Sequence, residues 1–592
     1  MNLPVPVALN RLAAALRVLS LGISLAARGT NDKHRSSPCL QPNPLFGFML
    51  RSAVQSAVMP RSAPVAVFRL LPWIWLPVWA GLGCQAQVIE QPSPPSEAQA
   101  EAVAVPTHRS VPLPPSARNS VLWVSLDDHL GAGTRSDRSA AQLTLISAGA
   151  APLQLLDQAG KPVMSSDRLR FSWRRVALPE PLDVARRVAG PFASFESADQ
   201  LAQRWRGQGV EAQVARPGEW EVWAPANALD LSGVSLREVS QRISSVVMPV
   251  LEGPEGGRTL QGPLQVQAPD GMRWNGGVLR GPFRLQADAY GSWTLLEQLP
   301  LERYLEGVVP HEIGAGSPAA ALQAQAVLAR TWALANSHRF ALDGYHLCSD
   351  TQCQVYSDPR LASPAVRQAI RATSGEVLLW DGQPIHAVYH ATNGGVSAHA
   401  EEAWNMEPLP YVQVQADGAA AWGQSISLPL RSNQDVQTLL NNGSGAYGAG
   451  HPRFRWSRVY TAGQLGQALA AAGQGDAAPT SMSVQKRGPS GRVLALEIDR
   501  DRGAEPVVLK LDAIRRTLRR LPSTLFVVEA EGAGVWRFQG GGFGHGVGLS
   551  QAGAIDLADR GWSAQRILQH YYPGTQLGPF TVPAGSAPAK AP

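Results

Sequence analysis

A Pro- and Ala-rich stretch at residues 87–118 limits where this chain can fold. It reads QVIEQPSPPSEAQAEAVAVPTHRSVPLPPSAR, and such a composition buries too little apolar surface to offset the entropy of ordering the chain. Runs that alternate between apolar and polar residues begin only after it, near Val121. We therefore expect a disordered linker at 87–118, a folded region from residue 119 onward and a short disordered tail at 581–592.

The segment before the linker has the pattern of an export signal. From Met59 a basic start leads into an apolar run from Leu70 to Gly83, and small residues follow up to Ala86. The run is too short and too often interrupted by proline to predict a stable membrane span. We predict a signal peptide at 59–86 and export to the periplasm or cell wall.

Two further expectations concern the same part of the chain. Residues 1–58 contain several basic side chains but no fold-like pattern, so they are either a leader or a mis-assigned start. Cys84 follows GLG in an imperfect lipobox, so the alternative to cleavage after Ala86 is a lipid anchor on Cys84.

Composition bounds the function class. The chain has 592 residues, of which 44% are hydrophobic and 17% charged, together with 57 Gly and 47 Pro; this predicts a loop-rich globular protein of two to four units. The formal charge is +6, yet no Lys/Arg block is interleaved with aromatic residues, so a nucleic-acid groove is not expected. The four cysteines lie at 39, 84, 348 and 353, and the predicted mature chain therefore keeps one pair, which excludes a disulfide scaffold.

Residues 119–250 are predicted to form a small, β-rich N-terminal region. Within it, residues 190–225 read as strand, helix and strand, and Ala198, Leu201, Ala202 and Trp205 have helical spacing. This segment loosely resembles a SPOR-type glycan-binding repeat; the alternative is a small structural subdomain that packs on its neighbour.

Residues 251–580 contain the residues that suggest chemistry. In HEIGAGSP, Glu312 lies on a stretch bounded by Gly314 and Gly316, and it is either a working acid or a solvated turn residue. Ser317 is predicted to cap a helix that starts at Pro318 and runs to about Phe340.

Two faces of that helix have different expected roles. Leu322, Ala326, Ala329 and Ala333 share an apolar face and should belong to the core. Gln323 and Arg330 share another face, behind Glu312. Arg330 is therefore either part of the same cleft as Glu312 or a solvated surface charge.

A glycine-rich run, FQGGGFGHGVGLSQAGA, begins at residue 538. It fits neither a dinucleotide-binding nor a phosphate-binding loop. Ser550 is a plausible cap for a helix at 551–559, and the glycines bring backbone close to a ligand or to a neighbouring strand. His545 lies within the run, which a purely structural role for the glycines does not explain.

Several segments in one order carry a family resemblance: YLEGVVPHEI, ALQAQAVLARTWAL, YHLCSDTQCQVY, FGHGVGLSQAGA and ILQHYYPGT. Together they resemble the stage II sporulation protein D family of peptidoglycan lytic transglycosylases and its amidase-enhancer relatives. The resemblance implies an α+β fold: a β-rich catalytic domain with a few helices around a polar cleft, plus the small N-terminal β/α region.

The resemblance also implies roles for individual residues. Glu312 occupies the position of the family's catalytic acid, and Arg330 the position of an arginine that binds or orients glycan. His545, Ser550 and Gln551 fall in the family's GHGVGMSQ motif, here with Leu549 in place of Met. With Gln323, these residues are our candidates for substrate binding.

One departure from the family concerns metal binding. The family often has a Cys, a four-residue gap and then a His beside or near a second Cys, a pattern that can hold zinc, but here CSDTQC has Gln352 where that histidine commonly lies. Cys348, Cys353 and His346 supply three ligands, whereas structural zinc takes four. The alternative is a Cys348–Cys353 disulfide, and no cofactor is required by the expected reaction.

The resulting expectation is an exported enzyme that cleaves peptidoglycan glycan strands between N-acetylmuramic acid and N-acetylglucosamine, leaving 1,6-anhydromuramoyl ends. The alternative is a non-catalytic, peptidoglycan-binding stimulator of a cell-wall amidase. Glycan strands are the expected partner in both cases, and an amidase is a further one in the second.

Overall fold

The computed structural model describes residues 108–117, 121–132, 142–231, 233–254, 256–518 and 521–580. They fall within one compact unit, Gln99–Pro592. The expected leader at 1–58, the signal peptide at 59–86, residues 87–107 of the linker and the tail at 581–592 lie outside the described residues.

Helices in the described residues are short apart from one of 17 residues. They are α1 (Phe195–Arg206), α2 (Leu301–Val309), α3 (Ala319–Ala335), α4 (Pro364–Ala372), α5 (Ala420–Gln424), α6 (Asn433–Asn441), α7 (Ala462–Ala471), α8 (Asp512–Thr517), α9 (Gln551–Asp559) and α10 (Ala564–Tyr571). None of these helices is both long enough and apolar enough to cross a bilayer.

Strands before α2 are numerous and mostly short. They are β1 (Val121–Leu130), β2 (Leu143–Ser147), β3 (Leu153–Leu156), β4 (Pro162–Ser166), β5 (Arg168–Phe192), β6 (Gln213–Ala215), β7 (Trp220–Pro225), β8 (Leu236–Gly253), β9 (Gly256–Thr259), β10 (Leu264–Gln267), β11 (Met272–Trp274), β12 (Gly277–Leu279), β13 (Phe283–Ala287) and β14 (Trp293–Pro300).

Strands after α3 are distributed along the rest of the chain. They are β15 (Leu347–Cys348), β16 (Glu376–Trp380), β17 (Gln383–Pro384), β18 (Tyr389–His390), β19 (Arg455–Thr461), β20 (Pro479–Arg487), β21 (Val493–Arg500), β22 (Val507–Lys510), β23 (Phe526–Gly532), β24 (Val535–Gly541), β25 (Leu549–Ser550) and β26 (Gln576–Pro579).

Two large sheets organise the first half of the fold. One has the order β15-β1-β14-β13-β10-β3-β4, and the other has the path β12-β11-β2-β5-β7-β6, with β8 paired to β5 and β9 paired to β8. The smaller sheets are β17-β16-β26, β18-β25, β19-β24-β23 and β20-β21-β22. The predicted class, a β-rich α+β fold with few helices, is confirmed.

Apolar alternation explains how these strands pack. In β2, Leu143, Leu145 and Ser147 are buried while the residues between them are more accessible, as expected for a strand with one face on the core. The helix α3 adds its own apolar face, since Leu322, Ala326, Ala329 and Ala333 are fully buried as predicted.

The domain boundary expected at 250/251 lies inside β8. β1, from the N-terminal region, pairs along its length with β14, which directly precedes α2. The regions 119–250 and 251–580 therefore share a sheet and a continuous core.

Part of the expected linker also packs on the fold. Among residues 108–117, Ala117 is buried, and the Pro115 carbonyl accepts a hydrogen bond from His346 Nε2 at 2.8 Å. Composition alone did not reveal this contact, because its partner lies more than 200 residues away in the sequence.

The segment 190–225 forms the end of β5, then α1, β6 and β7. Ser194 caps α1 by accepting a hydrogen bond from the Ser197 amide, and the four residues with helical spacing are buried. The structure has two strands after α1, where the sequence predicted one.

Candidate active site

Glu312 lies on a helical turn. α2 continues into a single π-helical turn at Pro310–Gly314, which Gly314 ends with a φ of +89°. Single π turns of this kind are frequent at functional sites. The buried face of α2, which includes Tyr304, Leu305 and Val308, anchors this turn to the core. The carboxyl group is therefore held by helical backbone and not by the glycine-bounded loop that the sequence predicted.

The start of α3 also differs from the expectation. α3 begins at Ala319 with Pro318 as its cap residue, and no side chain caps it. The Ser317 hydroxyl donates instead to the Ile313 carbonyl at 2.7 Å and so closes the end of the π turn. α3 ends at Ala335, earlier than the expected Phe340: Asn336 leaves the helical conformation with φ −106° and ψ 12°, and its side-chain amide donates to the Trp332 carbonyl at 3.0 Å.

Two cavities meet at Glu312. The first, which we call the basic cavity, has a volume of about 490 Å³ and includes Arg339, Arg515 and Arg516 in its lining. The second, the acidic cavity, has a volume of about 540 Å³ and includes Asp556 and Asp559. Glu312, Ala391 and Gln551 line both. A chain-like ligand can therefore pass the carboxyl group and extend on either side of it.

Burial raises the pKa of the Glu312 carboxyl group above its ordinary value. The Val355 amide donates a hydrogen bond to Glu312 Oε1 at 2.9 Å, and the side chains of Gln551 and Tyr389 also hydrogen-bond to this carboxyl group. These three contacts lower the pKa of Glu312 and partly offset the effect of burial. Such a group keeps its proton to a higher pH than an ordinary glutamate and can still be stabilised as a carboxylate after it has given the proton away.

Glu312 also differs from the other carboxyl groups of the basic cavity. Glu196 is ion-paired with Arg339, and Asp512 with Arg515 at 3.1 Å. Within the part of the chain that the structure describes, no cation lies within ion-pair distance of Glu312. Among the described residues, no cation therefore favours the ionised form of Glu312 by pairing with it.

Ser550 and Gln551 are adjacent but have different environments. Ser550 is fully buried and caps α9 by accepting a hydrogen bond from the Gly553 amide, as the sequence predicted. Gln551 lines both cavities, bonds to Glu312 and donates to Gln325 Oε1 at 3.3 Å. Gln551 thus belongs to the site, whereas Ser550 positions the helix that carries it.

His545 lines the basic cavity, but its ring nitrogens are occupied. Nδ1 accepts from the Val547 amide at 3.1 Å, and Nε2 donates to the Tyr389 carbonyl at 2.9 Å. Burial and the nearby Arg515 charge lower the pKa of His545 to about 3, so the ring is neutral. Its ring packs against Trp404 with a centroid distance of 4.8 Å. His545 is therefore a structural residue in the wall of the basic cavity.

The glycines around His545 permit close approach to a neighbouring strand. A Cβ on Gly544 would lie 2.6 Å from the His390 Cβ, and one on Gly548 would lie 2.2 Å from the Val388 carbonyl oxygen. β18 and β25 pair in parallel at this point, His390 opposite Ser550. The sequence left open whether these glycines approach a ligand or a neighbouring strand, and in the structure they approach a neighbouring strand.

Arg330 does not reach the cleft. It is 1% exposed, forms an ion pair with Glu302 at 2.7 Å and donates to the Glu376 carbonyl at 3.0 Å. Both sequence interpretations of Arg330, a cleft residue or a solvated charge, are therefore corrected, because this part of α3 packs against α2 and β16.

Gln323, which the sequence grouped with Arg330, is half-buried and lines neither cavity. The glutamine of α3 that reaches the site is Gln325, which is fully buried and contacts Gln551. Its position two residues further along the helix places it on a different face.

The cysteine pair forms a disulfide. Cys348 and Cys353 are bonded with their Cα atoms 5.7 Å apart, and Cys353 lines the basic cavity. The His346 ring is held by backbone on both sides, accepting from the Trp123 amide at 2.9 Å and donating to Pro115. No group of three His, Cys, Asp or Glu side chains in the described residues is arranged to hold a metal ion. The proposed zinc ligands therefore do not fit a zinc ion in this arrangement.

Sequence reasoning missed other parts of the basic cavity. The start of α1 forms one wall of this cavity, which is lined there by Ala193, Ser194 and Glu196. The Ser197 hydroxyl accepts from the Asn405 amide at 3.0 Å and joins α1 to the second half of the chain. His390 and Gln354 also line the cavity. Only their hydrogen-bonding environment in the folded protein distinguishes them from ordinary buried residues, and the sequence does not reveal that environment.

Comparisons with known proteins agree with the motifs. Residues 289–380 match the family described as Stage II sporulation protein, a range that includes Glu312 and the disulfide. Residues 398–548 match a domain of unknown function, DUF8618, which includes His545.

Curated relatives cover about half of the chain. Stage II sporulation protein D of Bacillus subtilis is 26% identical over 299 residues, which is 48% of this chain and 75% of that protein. Stage II sporulation protein D of Bacillus amyloliquefaciens is 29% identical over 300 residues, again 48% of this chain and 75% of the relative. A protein named amidase enhancer from Bacillus subtilis is 25% identical over 289 residues, 46% of this chain and 40% of the relative.

Proposed function

The chain carries a domain of the stage II sporulation protein D family, and from this premise we propose that it is an exported lytic transglycosylase of peptidoglycan. Its substrate would be the bond between N-acetylmuramic acid and N-acetylglucosamine in glycan strands. Glu312 would act first as the acid and then as the base.

The observation that carries this proposal is the position of Glu312. Its carboxyl group lies where two cavities meet, has a raised pKa and has no cationic partner among the described residues. Cleavage of a glycoside needs a proton on the departing oxygen, and a neutral carboxylic acid beside the scissile bond supplies it.

In the first step, the Glu312 proton passes to the glycosidic oxygen while the bond from the muramoyl C1 to that oxygen breaks. The N-acetylglucosamine side leaves with a new hydroxyl group, and positive charge develops at C1. In the second step, the muramoyl C6 oxygen bonds to C1, and its proton passes to the Glu312 carboxylate. The product is the 1,6-anhydro sugar, the carboxyl group regains its proton, and no water is consumed.

A single working carboxyl group suffices for this reaction. Hydrolysis with inversion or retention uses two carboxyl groups, one of them a base or a nucleophile. Glu196 and Asp512, which also line the basic cavity, are ion-paired with arginines and so are poorly suited to that second role. The contacts of Glu312 with the Val355 amide, Gln551 and Tyr389 support the carboxylate between the two steps.

A second function has its own support. One relative is named amidase enhancer, so this chain could instead bind glycan without cleaving it and stimulate a separate cell-wall amidase. That alternative uses the same cleft, but it does not require a protonated Glu312.

Product analysis separates the two functions. The purified protein is incubated with isolated glycan strands, and the products are analysed by mass spectrometry for 1,6-anhydromuramic acid ends. We expect such ends to accumulate with time in the absence of any amidase. If none form, while the protein accelerates stem-peptide release by an added amidase, the enhancer function is the correct one.

A further inference from the structure

Two buried hydrogen-bond acceptors in the basic cavity have no partner among the residues that the structure describes. They are Nε2 of His390, whose side chain is 5% exposed, and Oε1 of Gln354, which is 1% exposed. Both residues line the cavity together with Glu312. A buried polar atom without a hydrogen bond is costly and rare in native proteins, so its presence in a cleft indicates a place for a ligand.

The chemical character of the His390 atom follows from its other nitrogen. Nδ1 lies 3.1 Å from the Val547 carbonyl oxygen, which can only accept, so Nδ1 carries the proton. Burial, and to a smaller extent the neighbouring His545 ring and the Arg492 guanidinium, lower the pKa of His390, which keeps the ring neutral. Nε2 therefore keeps an unshared lone pair, on a side chain that lines the cavity.

The orientation of Gln354 is fixed in a similar way. Its Nε2 lies 3.4 Å from the Ala329 carbonyl oxygen and 3.0 Å from the Tyr389 hydroxyl oxygen. Because a carbonyl accepts and does not donate, the amide nitrogen must face Ala329 and the amide oxygen must face away from it. Oε1 is thus a second acceptor.

We propose that His390 Nε2 and Gln354 Oε1 accept hydrogen bonds from the amide N–H and hydroxyl donors of the bound N-acetylated sugar, beside Glu312. This inference rests on the proposed function and adds two residues that recognise the sugar by hydrogen bonding. His545, which the sequence singled out, cannot do this because both of its ring nitrogens are bound to backbone. Of the two described histidines that line the basic cavity, His390 on β18 is the one with an unpaired ring nitrogen.

A pair of substitutions at His390 separates substrate binding from structural support. Asn places an amide nitrogen near the position of Nδ1, so His390→Asn keeps the donor to Val547 but loses the acceptor at Nε2. Gln reaches the position of Nε2, so His390→Gln keeps an acceptor there but loses the donor to Val547. A purely structural role would make His390→Gln the more damaging change.

The experiment measures binding of N,N′,N″,N‴-tetraacetylchitotetraose by calorimetry, with every variant built on Glu312→Gln in the full exported chain. We expect His390→Asn to weaken binding about 3- to 10-fold, which corresponds to one neutral hydrogen bond. We expect His390→Gln to retain most of the affinity, while Gln354→Met weakens binding to a similar extent as His390→Asn. Gln437→Met, in a half-buried glutamine of α6 that lines neither cavity, is the matched control.

Each outcome has a distinct meaning. If the Glu312→Gln parent does not bind the tetrasaccharide at all, the proposed function fails together with this inference. If the parent binds and His390→Asn binds equally well, only the inference is wrong. If His390→Gln loses affinity and thermal stability while His390→Asn loses neither, His390 is a structural residue and the inference is overturned.

Discussion

The Tyr389 hydroxyl is expected to lower the upper pH limit of activity. Together with the Val355 amide and Gln551, Tyr389 hydrogen-bonds to Glu312, and this contact lowers the pKa of the carboxyl group against the effect of burial. In Tyr389→Phe that donor is lost, so the neutral acid is favoured to a higher pH. Because Glu312 must be protonated to act as an acid, the alkaline limb of the pH–rate profile should move to higher pH.

The size of this effect follows from the hydrogen bond that is removed. A hydrogen bond to a charged group contributes about 1.5–3 kcal/mol, and one pH unit corresponds to about 1.4 kcal/mol. Since the Val355 and Gln551 contacts remain, we expect the lower end of that range, a displacement of about one pH unit.

The assay follows kcat/KM for the release of anhydro-ended fragments between about pH 5 and pH 9, about two units either side of neutrality. Tyr411→Phe is the matched control, because the Tyr411 hydroxyl accepts from the His386 amide and does not contact Glu312. An alkaline limb that stays in place or moves to lower pH in Tyr389→Phe would refute the assignment of Glu312 as the acid.

Three further predictions concern stability. Arg330→Met should lower the free energy of unfolding by about 1–3 kcal/mol, because the Glu376 carbonyl loses its buried donor while Glu302, whose side chain is 39% exposed, remains solvated; a variant with parent thermal stability but weakened glycan binding would contradict this. Replacing both Cys348 and Cys353 with Ser should cost about 2 kcal/mol for the loss of a short closed loop, measured by denaturation with and without reductant; stoichiometric zinc in the purified protein would contradict the disulfide. Although burial opposes ionisation, Arg339 and His386 lower the pKa of Glu196 below its ordinary value. The stability that this carboxylate adds is therefore complete above about pH 5 and is lost as the pH falls below about 4. Hydrogen exchange in α1 should become faster as the pH falls through that range, and an unchanged exchange rate would count against the contact.

Local patterns in the sequence predicted several parts of the fold correctly. Asp-Gly between two β-prone runs favours a type I′ turn, and Asp381–Gly382 joins β16 to β17 with positive φ at both residues, as that turn requires. Ser550 caps α9 as predicted, and the apolar face of α3 is buried. These features depend on residues close to one another in the sequence, so local physical chemistry determines them.

Features that depend on distant contacts could not be predicted in the same way. Arg330 has helical spacing that suits a cleft residue, but its partner Glu302 and the Glu376 carbonyl occupy that face of α3. His390 has no local sign of function, because the significance of its Nε2 depends on Val547, which is 157 residues away. Likewise, nothing in residues 190–206 indicates that α1 forms a wall of the cavity around Glu312.

The most direct test of the proposed function is the rate of anhydromuramoyl end formation by Glu312→Gln. Gln is nearly isosteric and still forms hydrogen bonds, but it cannot exchange a proton with the glycosidic oxygen or the C6 hydroxyl. We expect the rate to fall by about 10²–10⁴-fold or more, since one group serves both steps, while binding of the tetrasaccharide and the melting temperature stay close to the parent values. Release of anhydro-ended fragments by Glu312→Gln at the parent rate would contradict the account.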